Sequence, residues 1–193
     1  PGAVAAVGFV LIAAAKPSVA GAAPWLWALL VTLLLVAAGA AVWTRGVEGR
    51  PLEAVSITLF GALLPGATLA FALFLRHLAL DGAAGLDASA PNPWAGTSLV
   101  VYAIGLTWIN DSCAYFAGRT WGRRKLIPSV SPGKTVVGGV AGVVGAIVVG
   151  GAYTAIVLDG ILGLSLGAVL GGLGGGLIAV VAQIGDLVES VIK

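Results

Sequence analysis

The densest group of chemistry-bearing side chains lies in residues 108–135, WINDSCAYFAGRTWGRRKLIPSVSPGKT. An apolar segment that starts near Ser98 runs into Asn110 and Asp111, then Tyr115, and ends at Gly118. Five cations follow with no acid among them: Arg119, Arg123, Arg124, Lys125 and Lys134. A carboxylate near the end of a membrane helix is costly to place, so Asp111 reads as functional. The clustered cations, with Ser131, Gly133 and Thr135 close by, suit a ligand rich in phosphate oxygens, which guanidinium and ammonium groups grip through charge-assisted hydrogen bonds. Asp111 and Tyr115 are four residues apart and, with Ala114 and Gly118, give one small, polar helix face. The ordinary alternative for Asp111 is a carboxylate paired with a structural arginine.

A second group closes the chain, QIGDLVESVIK. Asp186, Glu189, Ser190 and Lys193 are spaced i, i+3, i+4 and i+7, so on a helix they share a face. Magnesium takes oxygen ligands and commonly joins one or two carboxylates to substrate phosphates. Asp186 is therefore the first metal-ligand candidate and Glu189 the second. The alternative is a solvated helix end with an internal Glu189–Lys193 ion pair. Gly133-Lys134-Thr135 looks like the end of a P-loop, but Pro128 stands where that motif needs glycine and the segment follows an apolar helix rather than a strand, so a P-loop is excluded. The two groups together describe a membrane enzyme that handles a nucleotide and a lipid phosphate at the bilayer surface.

The elements that must position these residues are membrane helices. The 193 residues are 59% hydrophobic and 9% charged, with mean hydropathy +1.07, against roughly 45–50% and 25% for a soluble domain. The expected fold is an all-α, polytopic transmembrane bundle of about six spans, at residues 1–15 (in part), 24–43, 52–75, 98–118, 136–158 and 161–184. Residues 1–97 form N-terminal spans with an outer loop; residues 98–193 form a partial catalytic membrane domain with a cytoplasmic basic loop at 118–135. With that loop inside, Arg45, Arg50, its five cations and Lys193 fall in the cytoplasm and only Lys16 and Arg76 outside, a clear positive-inside bias. The net charge of +2 is small and local, so nucleic acid is not an expected partner. Cys113 and His77, the single residues of their types, read as structural, and no intrachain disulfide is available. Glycines 163, 167, 171 and 175 fall on one face of the sixth run; they read as packing within the subunit, with a homodimer face as the alternative. The chain has no methionine, opens inside an apolar run and closes at Lys193 in the middle of what reads as a helix, so it is read as a C-terminally truncated fragment of a longer protein.

These blocks resemble the phosphatidate cytidylyltransferase (CDP-diacylglycerol synthase) family. The family's Asp-x-x-Ala-Tyr-x-x-Gly-Arg is matched by Asp111, Ala114, Tyr115, Gly118 and Arg119. Its Lys-Leu and Ser-Pro-x-Lys-Thr are matched by Lys125, Leu126, Ser131, Pro132, Lys134 and Thr135, and its Gly-Asp-x-x-Glu-Ser-x-x-Lys by Gly185, Asp186, Glu189, Ser190 and Lys193. The resemblance covers roughly residues 105–193. Val136 and Val137 depart from the Trp-Glu of many members, and the family's later His-Gly-Gly and Asp-Arg-x-Asp segments do not occur. The resemblance implies CTP and phosphatidate as substrates, CDP-diacylglycerol and pyrophosphate as products, and magnesium, with room for a second cation, as cofactor. It implies that Asp186 holds the metal, with Asp111 as a second ligand or as an orienter of the basic loop, and that Lys134, Ser131, Arg119 and Lys193 neutralise the triphosphate and the leaving pyrophosphate. Tyr115, Lys125, Thr135 and Ser190 complete the implied substrate contacts, in the inner membrane with the site facing the cytoplasm. The rival readings are a CTP-dependent polyprenol or dolichol kinase, a CDP-archaeol synthase and, outside enzymes, a transporter or structural membrane protein.

Overall fold

A computed structural model describes residues 1–45, 49–78 and 94–192, with the side chains of Arg45 and Ile192 excepted. Residues 1–79 and 80–193 are two compact units. The first holds three helices, α1 (Gly2–Ala15), α2 (Val19–Arg45) and α3 (Pro51–Arg76). Phe9, Ala13, Ala22, Ala70 and Phe74 form its main core, and Ala5, Leu33 and Ala62 a second cluster. Small residues bring the backbones together: a methyl group on Gly66 of α3 would stand 2.8 Å from the Ala6 Cα of α1.

The second unit is built from α4 (Ala95–Trp121), a two-stranded hairpin of β1 (Lys125–Ile127) and β2 (Ser131–Thr135), α5 (Val136–Tyr153) and α6 (Ala168–Ile192). The three helices pack on one another, with α5 antiparallel to both neighbours. α5 continues into a π-helical segment, Thr154–Ile161. Its Asp159 carboxylate accepts hydrogen bonds from the backbone N–H of Leu166 (2.6 Å) and Gly167 (2.8 Å), which places a negative charge at the amino end of α6. Ala95, Leu158 and Leu164 close the core at this end.

Among the described residues, four helices are long and apolar enough to cross a membrane: Val19–Thr44, Pro51–Arg76, Val136–Ile161 and Ala168–Val191. α1, at 14 residues, is short, in line with the partial first span read from the sequence. α4, at 27 residues, has the length of a span, about 40 Å at 1.5 Å per residue; Asn110 and Asp111 dilute its apolar character. Large apolar side chains on the outer faces, such as Trp27, Val148 and Leu173, are exposed, as lipid-facing residues are. The protein is a multi-pass membrane protein with an all-α bundle architecture.

The glycine repeat behaves differently from the expected single helix face. Gly163 and Gly167 lie in the turn before α6 with φ of 70° and 85°. They supply the left-handed backbone that this turn needs and that side chains disfavour. Only Gly171 and Gly175 sit on α6, where they meet the α5 backbone at Gly150 and Ala146 within the unit.

Candidate functional site

The carboxyl end of α4, the hairpin, the amino end of α5 and the last third of α6 converge on one cavity of about 650 Å³. Asp111, Tyr115 and Arg119 are two successive steps of four along α4, and all three line it. The hairpin contributes Lys125 and Lys134, and α6 contributes Asp186. Residues 118–135 are therefore more ordered than a basic loop: α4 runs on to Trp121, and β1 pairs antiparallel with β2 in the register Lys125↔Thr135 and Ile127↔Ser131.

Thr135 joins the parts. It ends β2 and is the N-cap of α5, its Oγ1 accepting from the Gly138 N–H at 3.1 Å. Thr135 thus has a capping role as well as a place in the cavity lining, its hydroxyl oxygen being engaged by the Gly138 N–H. Two glycines let α5 begin against α4: a methyl group on Gly118 would stand 2.8 Å from Thr135 Oγ1, and one on Gly138 2.6 Å from the Ala114 carbonyl oxygen. Thr135→Ala is expected to cost about 1 kcal/mol, roughly 2–4 °C in Tm. Thr135→Ser should retain most of that, and thermal unfolding in detergent compares the two.

Lys134 and Asp186 form an ion pair across the cavity, between β2 and α6. The lysine side chain is 25% exposed and the aspartate 56%. The ammonium nitrogen itself is buried and, beyond the Asp186 carboxylate, makes no well-formed hydrogen bond among the described residues. An ammonium has three protons to donate, so this cation has capacity for an anionic ligand in the cavity. On α4, Arg119 donates to the Tyr115 hydroxyl at 2.8 Å.

A polar network underlies the cavity and involves two amides not singled out as site residues from the sequence. Asn110, 1% exposed, donates through Nδ2 to Asp111 Oδ1 (3.0 Å) and accepts at Oδ1 from Gln183 Nε2 (2.8 Å). Gln183 Nε2 also donates to the Gly139 carbonyl (3.0 Å), so one amide ties α4, α5 and α6 together. Their signal was present: a carboxamide in an apolar run is as out of place as a carboxylate and needs partners.

The structure brings seven of the residues singled out from the sequence to this cavity: Asp111, Tyr115, Arg119, Lys125, Lys134, Thr135 and Asp186. Ser131 lies on β2 outside its lining, and Glu189 and Ser190 lie about a turn further along α6. The Ser190 hydroxyl donates to the Asp186 backbone carbonyl at 2.8 Å. Lys193 lies outside the described residues. No group of three His, Cys, Asp or Glu among the described residues is disposed to cage a metal. The two carboxylates that line the cavity, Asp111 and Asp186, fit magnesium, which needs one or two when phosphates and water supply the remaining ligands.

Fold and site define a class: a multi-pass membrane protein with a polar, cation-rich cavity at one end of a three-helix unit. The sequence profile of the cytidylyltransferase family matches residues 3–193, and the chain belongs to that family. It is 33% identical over 175 residues to a phosphatidate cytidylyltransferase of Brucella suis, an alignment covering 88% of this chain and 58% of that protein. It is 38% identical over 89 residues to one of Haemophilus influenzae (46% of this chain, 27% of that protein) and 38% over 98 residues to one of Bacillus subtilis (51% and 35%). The chain thus spans between about a quarter and three fifths of the length of these curated relatives. No solved structure matches it.

Proposed function

We propose that this chain carries the phosphate-gripping part of a phosphatidate cytidylyltransferase, which converts CTP and phosphatidate into CDP-diacylglycerol and pyrophosphate. The observation that carries the reading is the buried Lys134 ammonium, paired with Asp186 in a cavity that Arg119 and Lys125 also line. Membership of the family and relatives named for this activity support it.

In this reaction a phosphate oxygen of the lipid attacks the α-phosphorus of CTP, a new P–O bond forms, and the bond from the α-phosphorus to the β-bridging oxygen breaks as pyrophosphate leaves. Such transfers ask the protein chiefly for positioning and charge stabilisation. Lys134, Arg119 and Lys125 supply positive charge to the triphosphate and to the leaving pyrophosphate, and Tyr115 orients the Arg119 guanidinium. Asp111 and Asp186 would hold magnesium, which supplies further charge neutralisation on the phosphate oxygens. Asn110 fixes the Asp111 carboxylate, and Gln183 fixes Asn110. Ser131, Glu189 and Ser190 belong to the proposed site as outer contacts, and Lys193 enters the proposal through the family resemblance. The positive-inside distribution supports an inner-membrane location with the cavity on the cytoplasmic side.

The test uses CTP labelled separately at the α and γ positions, with phosphatidate and the purified full-length protein. Label from the α position is expected in the lipid product and γ label in pyrophosphate. Transfer of the γ label to lipid would replace this reading with that of a lipid kinase.

A further inference from the structure

A second, apolar groove of about 320 Å³ lies beside the polar cavity, and the two share Leu126, Gly139 and Gln183 as lining. From that junction the groove follows α5 along Val140, Val143 and Val144. These positions belong to Val136–Ile161, a segment apolar enough to cross a membrane, so the groove runs into the hydrocarbon. Among the described residues, Gln183 is the only polar side chain in it. Its Nε2 is engaged by Asn110 and the Gly139 carbonyl, so the groove gains no free donor from that nitrogen. Val140 and Val144 are 60% and 52% exposed, which leaves the groove open sideways to lipid.

We infer that this groove seats one acyl chain of the lipid phosphate whose headgroup occupies the cavity, an assignment that rests on the lipid-phosphate reading above. Continuity selects this occupant. A phosphate held near Lys134 has its glycerol and first methylenes at the Leu126–Gly139–Gln183 junction, and the apolar path leaving that junction is the one along α5. A chain can slide in laterally without leaving the bilayer. Methylenes gain free energy in this setting by close packing rather than by leaving water, so the fit of the valine side chains sets the preference.

The test places the full-length protein in phosphatidylcholine liposomes with a trace of phosphatidate that carries a diazirine part-way along one acyl chain. Label is expected to concentrate on residues 140–144, to be displaced by dioleoyl phosphatidate, and to fall several-fold in Val144→Trp and, more mildly, in Val144→Leu. Val148→Trp, on the same helix but outside the groove, should keep the wild-type pattern. Val144→Trp should also raise the KM for dioleoyl phosphatidate, because the indole fills the space in which the chain packs. Even labelling of the lipid-facing helices, or equal labelling by a phosphatidylcholine bearing the same diazirine chain, overturns the groove. Failure of the proposed reaction is read separately: absence of CTP turnover with concentrated labelling removes the activity and leaves the groove, whereas turnover with even labelling does the reverse.

Discussion

Asp186→Asn in the full-length protein is expected to abolish CTP turnover, with kcat/KM reduced at least about a thousandfold, while the fold survives. The size follows from what is removed: a charge-stabilising group in a phosphoryl-type transfer contributes about 10²- to 10³-fold, and a metal ligand more. Survival of the fold follows from exposure. Asp186 is 56% exposed, and asparagine keeps an oxygen for the Lys134 ammonium, so the stability change should stay within about 1 kcal/mol. Lys134→Ala is expected to lose about 10²- to 10³-fold for the same electrostatic reason. The double variant separates two roles for the pair. If Lys134 and Asp186 serve only to hold β2 against α6, removing both charges should restore much of the activity lost in either single variant. If they act on substrate, the double variant should be as inactive as the worse single one, because groups that act as a unit are not additive. Retained turnover in Asp186→Asn would remove the metal assignment outright.

A large loss of stability is expected from a single methyl group placed beside Asn110. Gly142→Ala places a Cβ 2.5 Å from Asn110 Oδ1 and 2.8 Å from the Asn110 backbone oxygen, closer than real Cβ atoms come. The backbone oxygen cannot rotate away, so α4 and α5 must separate. The cost is that of overpacking a filled interface, about 1–3 kcal/mol. It falls on the residue that holds both Asp111 and Gln183, so activity should decline with stability. Gly105→Ala on α4 is the control, because its added methyl meets nothing within 4 Å. It should be neutral or stabilising by up to about 1 kcal/mol through better helix propensity. Thermal unfolding in detergent, with both variants run together, should show a lower Tm for Gly142→Ala and an unchanged or higher one for Gly105→Ala; a silent Gly142→Ala would refute the close approach of these helices.

Much of this arrangement was legible because polar residues in apolar runs are anomalies with few explanations. Asp111, Tyr115 and Arg119 could be placed on one face from their four-residue steps alone, and Asp186 stood out against an uncharged run before it. Periodicity failed where two structures share one spacing. The steps from Gly163 to Gly167 and from Gly171 to Gly175 are identical in sequence, yet the first pair makes a turn and the second a helix contact. Asp159 was passed over for a related reason: its partners are backbone N–H groups seven and eight residues ahead, which no side-chain pattern reveals. The hairpin was hidden by its brevity, since strands of three and five residues with Pro132 and Gly133 inside carry no alternation to detect. Gln183 and Asn110 are 73 positions apart, and only the packing of α6 onto α4 makes them neighbours.

β2 ends at Thr135 and α5 begins at Val136, with no residue between them to act as a joint. Lys134 is thus the tip of a lever whose long arm lies in the lipid. A bilayer thinner or thicker than the apolar length of α5 is accommodated partly by helix tilt, and because α5 and α6 meet backbone to backbone at Gly150–Gly171 and Ala146–Gly175, such a tilt carries the ammonium and the carboxylate together.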